Sequence, residues 1–438
     1  MRLMKSTSSA LWVISAQGST IFLRFLSTII LTRLLFPEAF GTMLVIGTIT
    51  SLIQLLSDVG LRGSIINNPR SDVDENYVNT IWTLKIIRGV IIAAIIVVIS
   101  FFSASIYPNV ENLSLYLQIT SISALLKGFE STKVHQMERR MEMMRPAVTQ
   151  IGGRVIALVA TIIFAYIHPS ALSIVLGEVV SSLGLVLLSH FYLKGTKNKI
   201  HIERTALNGI IRYGRWILFS TLLTWTVREG HKFILGLIMS VQTLGFYALG
   251  SNIATVVSGF INGFSDRWIF PMYTRLGETD SIDSAALNIR HIFVGSASIG
   301  ILLLVTLSAY IVDFLYEQTY ENVSYFIRVI AIGSIGAIVS DCYVPIYKAK
   351  ADSFGLMVTR SVQALIIAVA VFFGYNAGGA EGVILASAFA QLVTGPATAF
   401  MSRKHFAKKL YLLDSAVYSV PFIILLYFEL DTLSVVFQ

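Results

Sequence analysis

The stretch KGTKNKIHIERTALNGIIRYGR, residues 194–215, separates two series of long apolar runs and is strongly basic. Each run has about 18 to 25 residues, which is enough for a helix to cross a hydrocarbon layer ~30 Å thick. The pattern predicts six spans before this segment, six after it and one further, ambiguous run. We place these runs at about 10–34, 40–60, 81–104, 114–132, 148–167, 171–193, 213–238, 244–264, 291–312, 324–344, 357–375, 381–401 and 413–429.

The composition of the whole chain is typical of a membrane protein. Of its 438 residues, 55% are hydrophobic and only 13% are charged, whereas about a quarter are charged in soluble domains. The chain is therefore predicted to be an all-α, multi-pass membrane protein. Its one cysteine, Cys342, excludes an intrachain disulfide and a cysteine-based metal cluster.

Lysine and arginine are distributed unevenly between the connections on the two sides of the membrane. With the N-terminus placed inside, the inside segments hold these residues, and the six outside loops, such as YPNVEN (107–112) and NAGGAE (376–381), hold none. This contrast predicts a cytoplasmic N-terminus and an inner surface that binds anionic membrane lipids. The net charge of +8 is thereby explained, and no nucleic-acid partner is expected.

The first apolar run follows MRLMKS, a start that a cleaved signal peptide would share. Gln17 and Arg24 interrupt the run, no small-residue cleavage site follows it, and a second span begins almost at once. We therefore expect the run to remain as the first span.

The two series of six spans predict two halves of the molecule. The predicted domains are an N-terminal six-helix bundle (1–200), a C-terminal six-helix bundle (201–409) and an extra hydrophobic segment (410–438). An even number of spans per half makes any repeat parallel. An offset of 204 residues aligns the two starts, but seven identities in about forty residues do not exclude chance.

The aligned positions of the first and seventh spans carry matching polar stripes. Their spacing of 0, 3, 7, 10 and 11 residues follows one face of a helix. Each stripe has an arginine near the middle of its span. The stripes consist of Gln17, Thr20, Arg24, Ser27 and Thr28 in the first span and of Thr221, Thr224, Arg228, His231 and Lys232 in the seventh.

Three motifs carry a resemblance to a known family: LTRLLFPEAFG (31–41), LLSDVGLRGSII (55–66) and HQMERRMEMMRPAVTQIGGRVIALV (135–159). With the pattern of spans, they resemble bacterial oligosaccharide flippases of the polysaccharide transporter family. That family belongs to the multidrug/oligosaccharidyl-lipid/polysaccharide (MOP) exporter superfamily. The resemblance implies two pseudo-symmetric six-helix transmembrane bundles around a central cavity. The run at 413–429 departs from members with fourteen spans, so its crossing of the membrane stays open.

The resemblance also implies a function. The expected substrate is an oligosaccharide on a polyprenyl diphosphate, which moves from the inner to the outer leaflet of the bacterial cytoplasmic membrane. The expected partners are this lipid-linked oligosaccharide, membrane lipids, and the polysaccharide polymerase and glycosyltransferases of the same biosynthesis. No resident cofactor is expected, and a proton or sodium gradient is a candidate energy source.

The cations inside the spans are candidates for binding the diphosphate. An arginine that faces lipid at the bilayer centre costs about 2.5–3.5 kcal/mol, so these side chains face water or have partners. Guanidinium groups match phosphate oxygens well. A structural ion-pair network with Glu178 and Glu229 is the competing interpretation. The predicted substrate-binding residues are Arg24, Arg228, Lys232, Gln17, Thr20, Thr221 and Thr224.

The acids inside the spans are candidates for ion coupling. Glu178 either carries a proton during transport or pairs with a cavity arginine. Glu229 points about 100° away from Arg228 and is predicted to be poorly placed to neutralise both neighbouring cations. Near span ends, long cationic side chains can reach water at the surface. The residues interpreted in this way as anchors are Arg33, Lys85, Arg88, Lys127 and Arg154.

No motif indicates an enzyme, since the chain lacks a Walker A sequence and a His-Glu-x-x-His motif. One alternative is a cation-coupled multidrug exporter of the same superfamily, although cationic drugs favour an acidic cavity. A second alternative is a polytopic polysaccharide polymerase or glycan ligase. The short outside loops count against it, because such enzymes need a large outer loop for their acceptor and catalytic groups.

Overall fold

The computed structural model describes residues 18–56, 61, 64–65, 74–140, 142–203, 222–264, 273, 281–350, 352–405, 422 and 425. Every regular element in these residues is helical. The chain packs into two compact units, Met1–Leu222 and Leu223–Gln438. The predicted domain boundary after residue 200 stays a prediction, because residues 204–221 lie outside the described part.

The first unit consists of helices that pack largely in neighbouring pairs. Helix α3 lies along α4, α6 lies along α7, and α4 also contacts α7. Helix α3 begins six residues before the predicted start, because the Asp74 carboxylate accepts a hydrogen bond from the Tyr77 N–H at 3.1 Å and caps the helix. The helices are α1 (Gly18–Thr32), α2 (Pro37–Leu56), α3 (Glu75–Ile106), α4 (Leu113–Phe129), α5 (Lys133–Arg139), α6 (Met144–Ile167) and α7 (Ala171–Phe191).

The second unit is built around α11, which contacts α9, α10 and α12. Hydrogen bonds between buried side chains join α11 to α12: Ser340 Oγ of α11 lies 3.0 Å from Thr398 Oγ1 and accepts a bond of 3.3 Å from the Gln363 amide, both of α12. Such pairs hold helices together where lipid supplies no hydrophobic driving force. The helices are α8 (222–238), α9 (Val241–Phe264), α10 (Ser281–Leu315), α11 (Val323–Ala349) and α12 (Ser353–Ser402).

Helix α12 contains two of the predicted spans, and the chain reverses between them within two residues. Gly378 and Gly379 have non-helical dihedral angles, and Gly379 has a φ of 56°, a conformation that favours glycine. The outside loop predicted at 376–381 is therefore a sharp break between two helices.

Each of the twelve predicted spans falls on a helix, which confirms the all-α membrane fold. Seven helices in the described ranges are long and apolar enough to cross a membrane by themselves. Helix α12 contributes two spans, and α1 and α4 are shorter apolar helices. Most of the thirteenth predicted run, at 413–429, lies outside the described residues.

The basic connector between the units begins as an extended segment fixed to the end of α3. Three alternate backbone N–H groups, those of Lys199, His201 and Glu203, donate hydrogen bonds of 2.9–3.0 Å to side chains of α3. The acceptors are Asn79, Thr83 and Thr80. The first part of the connector, up to residue 203, is thus a packed part of the first unit.

A substitution at Gly336 tests the close packing of α11 on α12. A Cβ added at Gly336 would overlap the backbone of Gln391, whereas one added at Gly295, in α10, would meet nothing within 4 Å. We expect Gly336→Ala to destabilise the protein by about 1–3 kcal/mol through overpacking. Gly295→Ala should be neutral or stabilising because alanine favours helix. Thermal unfolding in detergent measures both; equal melting temperatures would contradict the packing.

Candidate functional site

Seven of the nine residues predicted for binding or coupling lie in described helices, and Gln17 and Thr221 lie outside the described residues. In the first unit, Thr20 and Arg24 lie on α1, and Glu178 lies on α7. In the second unit, α8 carries Thr224, Arg228, Glu229 and Lys232. The structure thus places candidate groups in both units, and each unit is described separately below.

Arg24 is exposed on α1, on the side opposite the exposed Phe22. Two residues on a helix are about 160° apart around its axis, because each residue turns the chain by about 100°. Phe22, with 66% of its surface exposed, marks the lipid-facing side. Arg24 consequently faces away from lipid and can be hydrated.

Arg154 on α6 is close enough to Arg24 for the two positive charges to repel each other. The apolar residues Val159 and Ile163 are exposed on α6 and mark its lipid-facing side. Arg154 lies about 140° and 180° from them around the helix axis. Arg154 therefore belongs to the same non-lipid side of the first unit as Arg24, and its role as a surface anchor stays a prediction.

Glu178 forms an ion pair with Lys127 of α4, with an Nζ–Oε1 distance of 2.8 Å. Both side chains are 43% exposed. The acid is thus paired, as one of the two predictions required, but its partner is a lysine and not an arginine. Lys127 reaches into the span toward Glu178, so its interpretation as an anchor at the inner surface is corrected.

Two other predicted anchors, both in the N-terminal half of α3, contact the ends of neighbouring helices. The Lys85 ammonium donates to the carboxylate of Glu130 at 3.2 Å and to its carbonyl oxygen at 3.0 Å. The Arg88 guanidinium donates to the carbonyl oxygen of Gln54 at 2.9 Å. These bonds satisfy carbonyl groups at or near helix ends, so both residues have a structural role.

In the second unit, Lys232 pairs with Glu229 at 2.9 Å. Glu229 was predicted to be poorly placed to neutralise both neighbouring cations, and the structure pairs it with Lys232. Residues three apart on a helix are only about 60° apart around its axis, so the two side chains can meet. Arg228 is exposed and has no ion-pair partner among the described residues.

His231 is buried between Arg228 and Lys232 in the sequence and points into the second unit. Its Nε2 lies 2.9 Å from the Tyr247 hydroxyl of α9, and the two rings meet edge to face. The histidine thus packs in the interior, while the neighbouring cations lie on more exposed sides of α8. This contact fixes the rotation of α8 against α9 and so fixes the direction in which Arg228 points.

No group of three or more His, Cys, Asp or Glu side chains that could hold a metal ion occurs in the part of the chain that the structure describes. The chemistry of the candidate site is instead that of cations on hydrated helix faces. Such faces can bind an anion through charge-assisted hydrogen bonds.

Sequence reasoning missed Arg154 and Lys127 as members of the candidate site. A signal for both was available, because each lies about 140–160° around its helix from residues of an apolar stripe. The interpretation of Lys127 and Arg154 as anchors depended instead on their short distance from the end of a span.

Comparison with curated proteins finds distant relatives. The chain is 21% identical over 393 residues to the lipopolysaccharide biosynthesis protein WzxC of Escherichia coli (strain K12), covering 89% of this chain and 79% of WzxC. It is 20% identical over 280 residues to an uncharacterized membrane protein in the cps region of Klebsiella pneumoniae, covering 62% of this chain and 56% of that protein.

Comparison with solved structures shows the fold. An inward-facing multidrug resistance MATE family transporter of the MOP superfamily matches with a TM-score of 0.70 and 13% identity, over 92% of this chain and 95% of the transporter. The lipid II flippase MurJ in an inward closed conformation also matches with a TM-score of 0.70, at 14% identity, over 95% of this chain and 92% of MurJ.

The family of the chain follows from a match to a family model. The model described as polysaccharide biosynthesis protein matches residues 30–325, which is well over half of the chain. This region includes Lys127 and Arg154 of the first unit and Arg228 of the second, and it begins six residues after Arg24. The chain belongs to the polysaccharide biosynthesis protein family and has the fold of the MOP exporter superfamily.

Proposed function

We propose that the protein is a flippase that moves polyprenyl-diphosphate-linked oligosaccharide from the inner to the outer leaflet of the bacterial cytoplasmic membrane. The observation that carries this proposal is the pair of arginines, Arg24 and Arg154, on helix faces directed away from lipid. Two like charges in the same region of a unit favour an anionic ligand, and a diphosphate carries about two negative charges. Membership of a polysaccharide biosynthesis family supports a sugar-bearing substrate.

In this proposal the diphosphate binds to Arg24 and Arg228, one from each unit, and Lys232 assists. A guanidinium group binds phosphate through two parallel N–H bonds, which an ammonium cannot do. Thr20 and Thr224, together with Gln17 and Thr221, are proposed to donate hydrogen bonds to sugar or phosphate oxygens. The units then change their relative position, and the site opens to the outside by alternating access.

The energy source in this proposal is an ion gradient, with the acids Glu178 and Glu229 as candidates for coupling. Each acid is paired with a lysine, at 2.8 Å and 2.9 Å respectively. A proton that neutralised either acid would release its lysine. Glycosyltransferases would supply the substrate and a polymerase would use the product.

Multidrug export is the alternative within the same superfamily. The fold does not distinguish multidrug export from the proposed flippase function, since the MATE transporter and MurJ match equally well. The charge of the candidate residues does discriminate, because Arg24, Arg154 and Arg228 would repel a cationic drug.

The function is tested by deleting the gene and following the lipid-linked oligosaccharide. Under the flippase proposal, the oligosaccharide accumulates in the inner leaflet, and an enzyme added outside the membrane can no longer reach it. Expression of the chain restores access. Normal access in the deletion strain, combined with sensitivity to cationic dyes, would favour drug export.

Reporter fusions test the proposed orientation, with a cytoplasmic N-terminus. Reporters fused after Asn109 and Gly378 should give outside signals, and those after Lys199 and Lys350 inside signals. The physical reason is that cationic loops stay on the cytoplasmic side. Alkaline phosphatase and green fluorescent protein, active on opposite sides, provide the measurement. An outside signal after Lys199 would contradict the arrangement of six spans in each half.

A further inference from the structure

We infer that Lys127 is a further binding residue for the anionic group of the substrate, and that Glu178 is its counter-ion in the absence of substrate. Substrate phosphate would take the place of the Glu178 carboxylate on the lysine. The inference rests on the proposed function and adds to it a third cation-bearing helix of the first unit, α4. It also gives Glu178 a role that does not depend on the identity of a coupling ion.

The faces of α4 and α7 support hydration of this pair. On α4, Phe129 is 38% exposed on the lipid-facing side, and Lys127 lies about 160° from it around the helix. On α7, Leu183 is 46% exposed, and Glu178 lies about 140° from it. Both charged side chains are nonetheless 43% exposed. Charges so exposed within a span need water, because facing lipid is costly.

The direction of the Lys127 side chain is also unusual for a cation near a span end. The Ser131 N–H donates to Ser189 Oγ at 3.0 Å, which sets the inner ends of α4 and α7 level with each other. Lys127 is four residues before Ser131, whereas Glu178 is eleven before Ser189. At 1.5 Å per residue, the two backbones differ in depth by about 10 Å. Lys127 thus extends toward the middle of the membrane and not toward the near surface.

This depth brings Lys127 and Glu178 to about the level of Arg154. Ser181 Oγ donates to the carbonyl oxygen of Gly153 at 2.9 Å, so Arg154 is about level with Ser181. The depth of Ser181 in the membrane is between that of Glu178 and that of Lys127. Among the described residues, Glu178 thus lies close in depth to two cations, Lys127 and Arg154, on the non-lipid faces of the first unit.

An ion pair of this kind can be exchanged for a ligand. Partly exposed pairs stabilise proteins only weakly, and a phosphate with two charges can compete with one carboxylate. The pair between Lys85 and Glu130 differs, since the Lys85 side chain is only 12% exposed and also binds a carbonyl oxygen. That pair is a matched structural control in the same unit.

Binding of farnesyl diphosphate to the purified full-length protein in detergent tests the inference. Glu178→Gln should bind this probe roughly two- to fivefold more tightly, because the carboxylate no longer competes for Lys127. Lys127→Gln should bind more weakly, and adding Glu178→Gln to it should change nothing further. The control Glu130→Gln should keep wild-type affinity. Isothermal titration calorimetry measures all four, with thermal unfolding to confirm that each variant is folded.

Two outcomes would overturn the inference while the proposed function stands. The first outcome is a folded Glu178→Gln variant that binds farnesyl diphosphate no more tightly than the wild type does. In that outcome Arg24→Ala would still abolish binding, so the proposed anion site would stand. The other is an equal effect of Glu178→Gln with and without Lys127. Failure of the wild-type protein to bind farnesyl diphosphate would instead contradict the proposed function. A Glu178→Gln variant too unstable to purify, rescued by exchanging the two charged residues, would show a purely structural pair.

Discussion

Replacing both Arg24 and Arg228 with alanine should lower export of lipid-linked oligosaccharide by at least about a hundredfold while the protein still inserts in the membrane. A hydrogen bond between charged groups contributes about 1.5–3 kcal/mol. Loss of two such contacts weakens binding by about 3–6 kcal/mol, which is a factor of a hundred or more. The measurement is the appearance of lipid-linked sugar in the outer leaflet, normalised to the amount of protein in the membrane.

The single variants separate the two interpretations of these arginines. If they bind phosphate, lysine at either position should restore part of the export, because it keeps the charge but loses the two parallel bonds. If they belong to a structural ion-pair network, alanine should mainly reduce the amount of protein, since an unpaired charge is left behind. Arg33→Ala is the matched control, because Arg33 is exposed in the turn after α1. Near-normal export by the double variant would exclude phosphate binding at these positions.

The helical fold could be predicted from the sequence because the bilayer imposes a length and a composition on every span. Twelve apolar runs were enough to place twelve helical segments, and lysine and arginine in the loops gave a predicted orientation. The break in α12 was predicted as an outside loop, and the structure shows that Gly378 and Gly379 suffice to reverse the chain. The cap that moves the start of α3 to Glu75 depends on one side-chain bond from Asp74.

The candidate site was only partly predictable, because depth along a helix and angle around it are different properties. Lys127 and Arg154 were assigned from their depth, and their angular positions, opposite the lipid-facing stripes, escaped notice. Pairing across helices was also inaccessible, since nothing in the sequence says that Lys127 of α4 reaches Glu178 of α7. By contrast, the pair between Glu229 and Lys232 lies within one helix and could have been predicted from their spacing.

The charge pattern of the first unit differs from the one predicted. The sequence emphasised a symmetric arrangement with one arginine per half. In the structure, the first unit adds Arg154 beside Arg24 and the exchangeable pair of Lys127 and Glu178. This concentration of charge means that the two units need not contribute equally to anion binding. It also makes residue 154 the position where a reversal of charge should have the largest local effect.

Arg154→Glu should lower export by at least about tenfold, because the new carboxylate would lie beside Arg24 and neutralise it. An opposite charge near a partly buried site can shift binding by about 1.5 kcal/mol or more, a tenfold change. Arg154→Gln should have a smaller effect, since removing one repelling charge leaves Arg24 free to bind phosphate. If Arg154 is instead a surface anchor, Arg154→Glu and Arg154→Gln should have the same effect on export.

The control for this reversal is Lys194→Glu, which changes the same charge on an exposed residue after the end of α7. It should leave export close to the wild-type level, because solvent ions screen exposed charges over about 10 Å. Export normalised to membrane protein compares the variants, and farnesyl diphosphate affinity shows whether the loss lies in binding. Because an acid at 154 acts on Arg24, adding Arg24→Ala to Arg154→Glu should cost little more. A full additive loss in that double variant would mean that the two side chains act independently and that Arg154 is not part of the anion site.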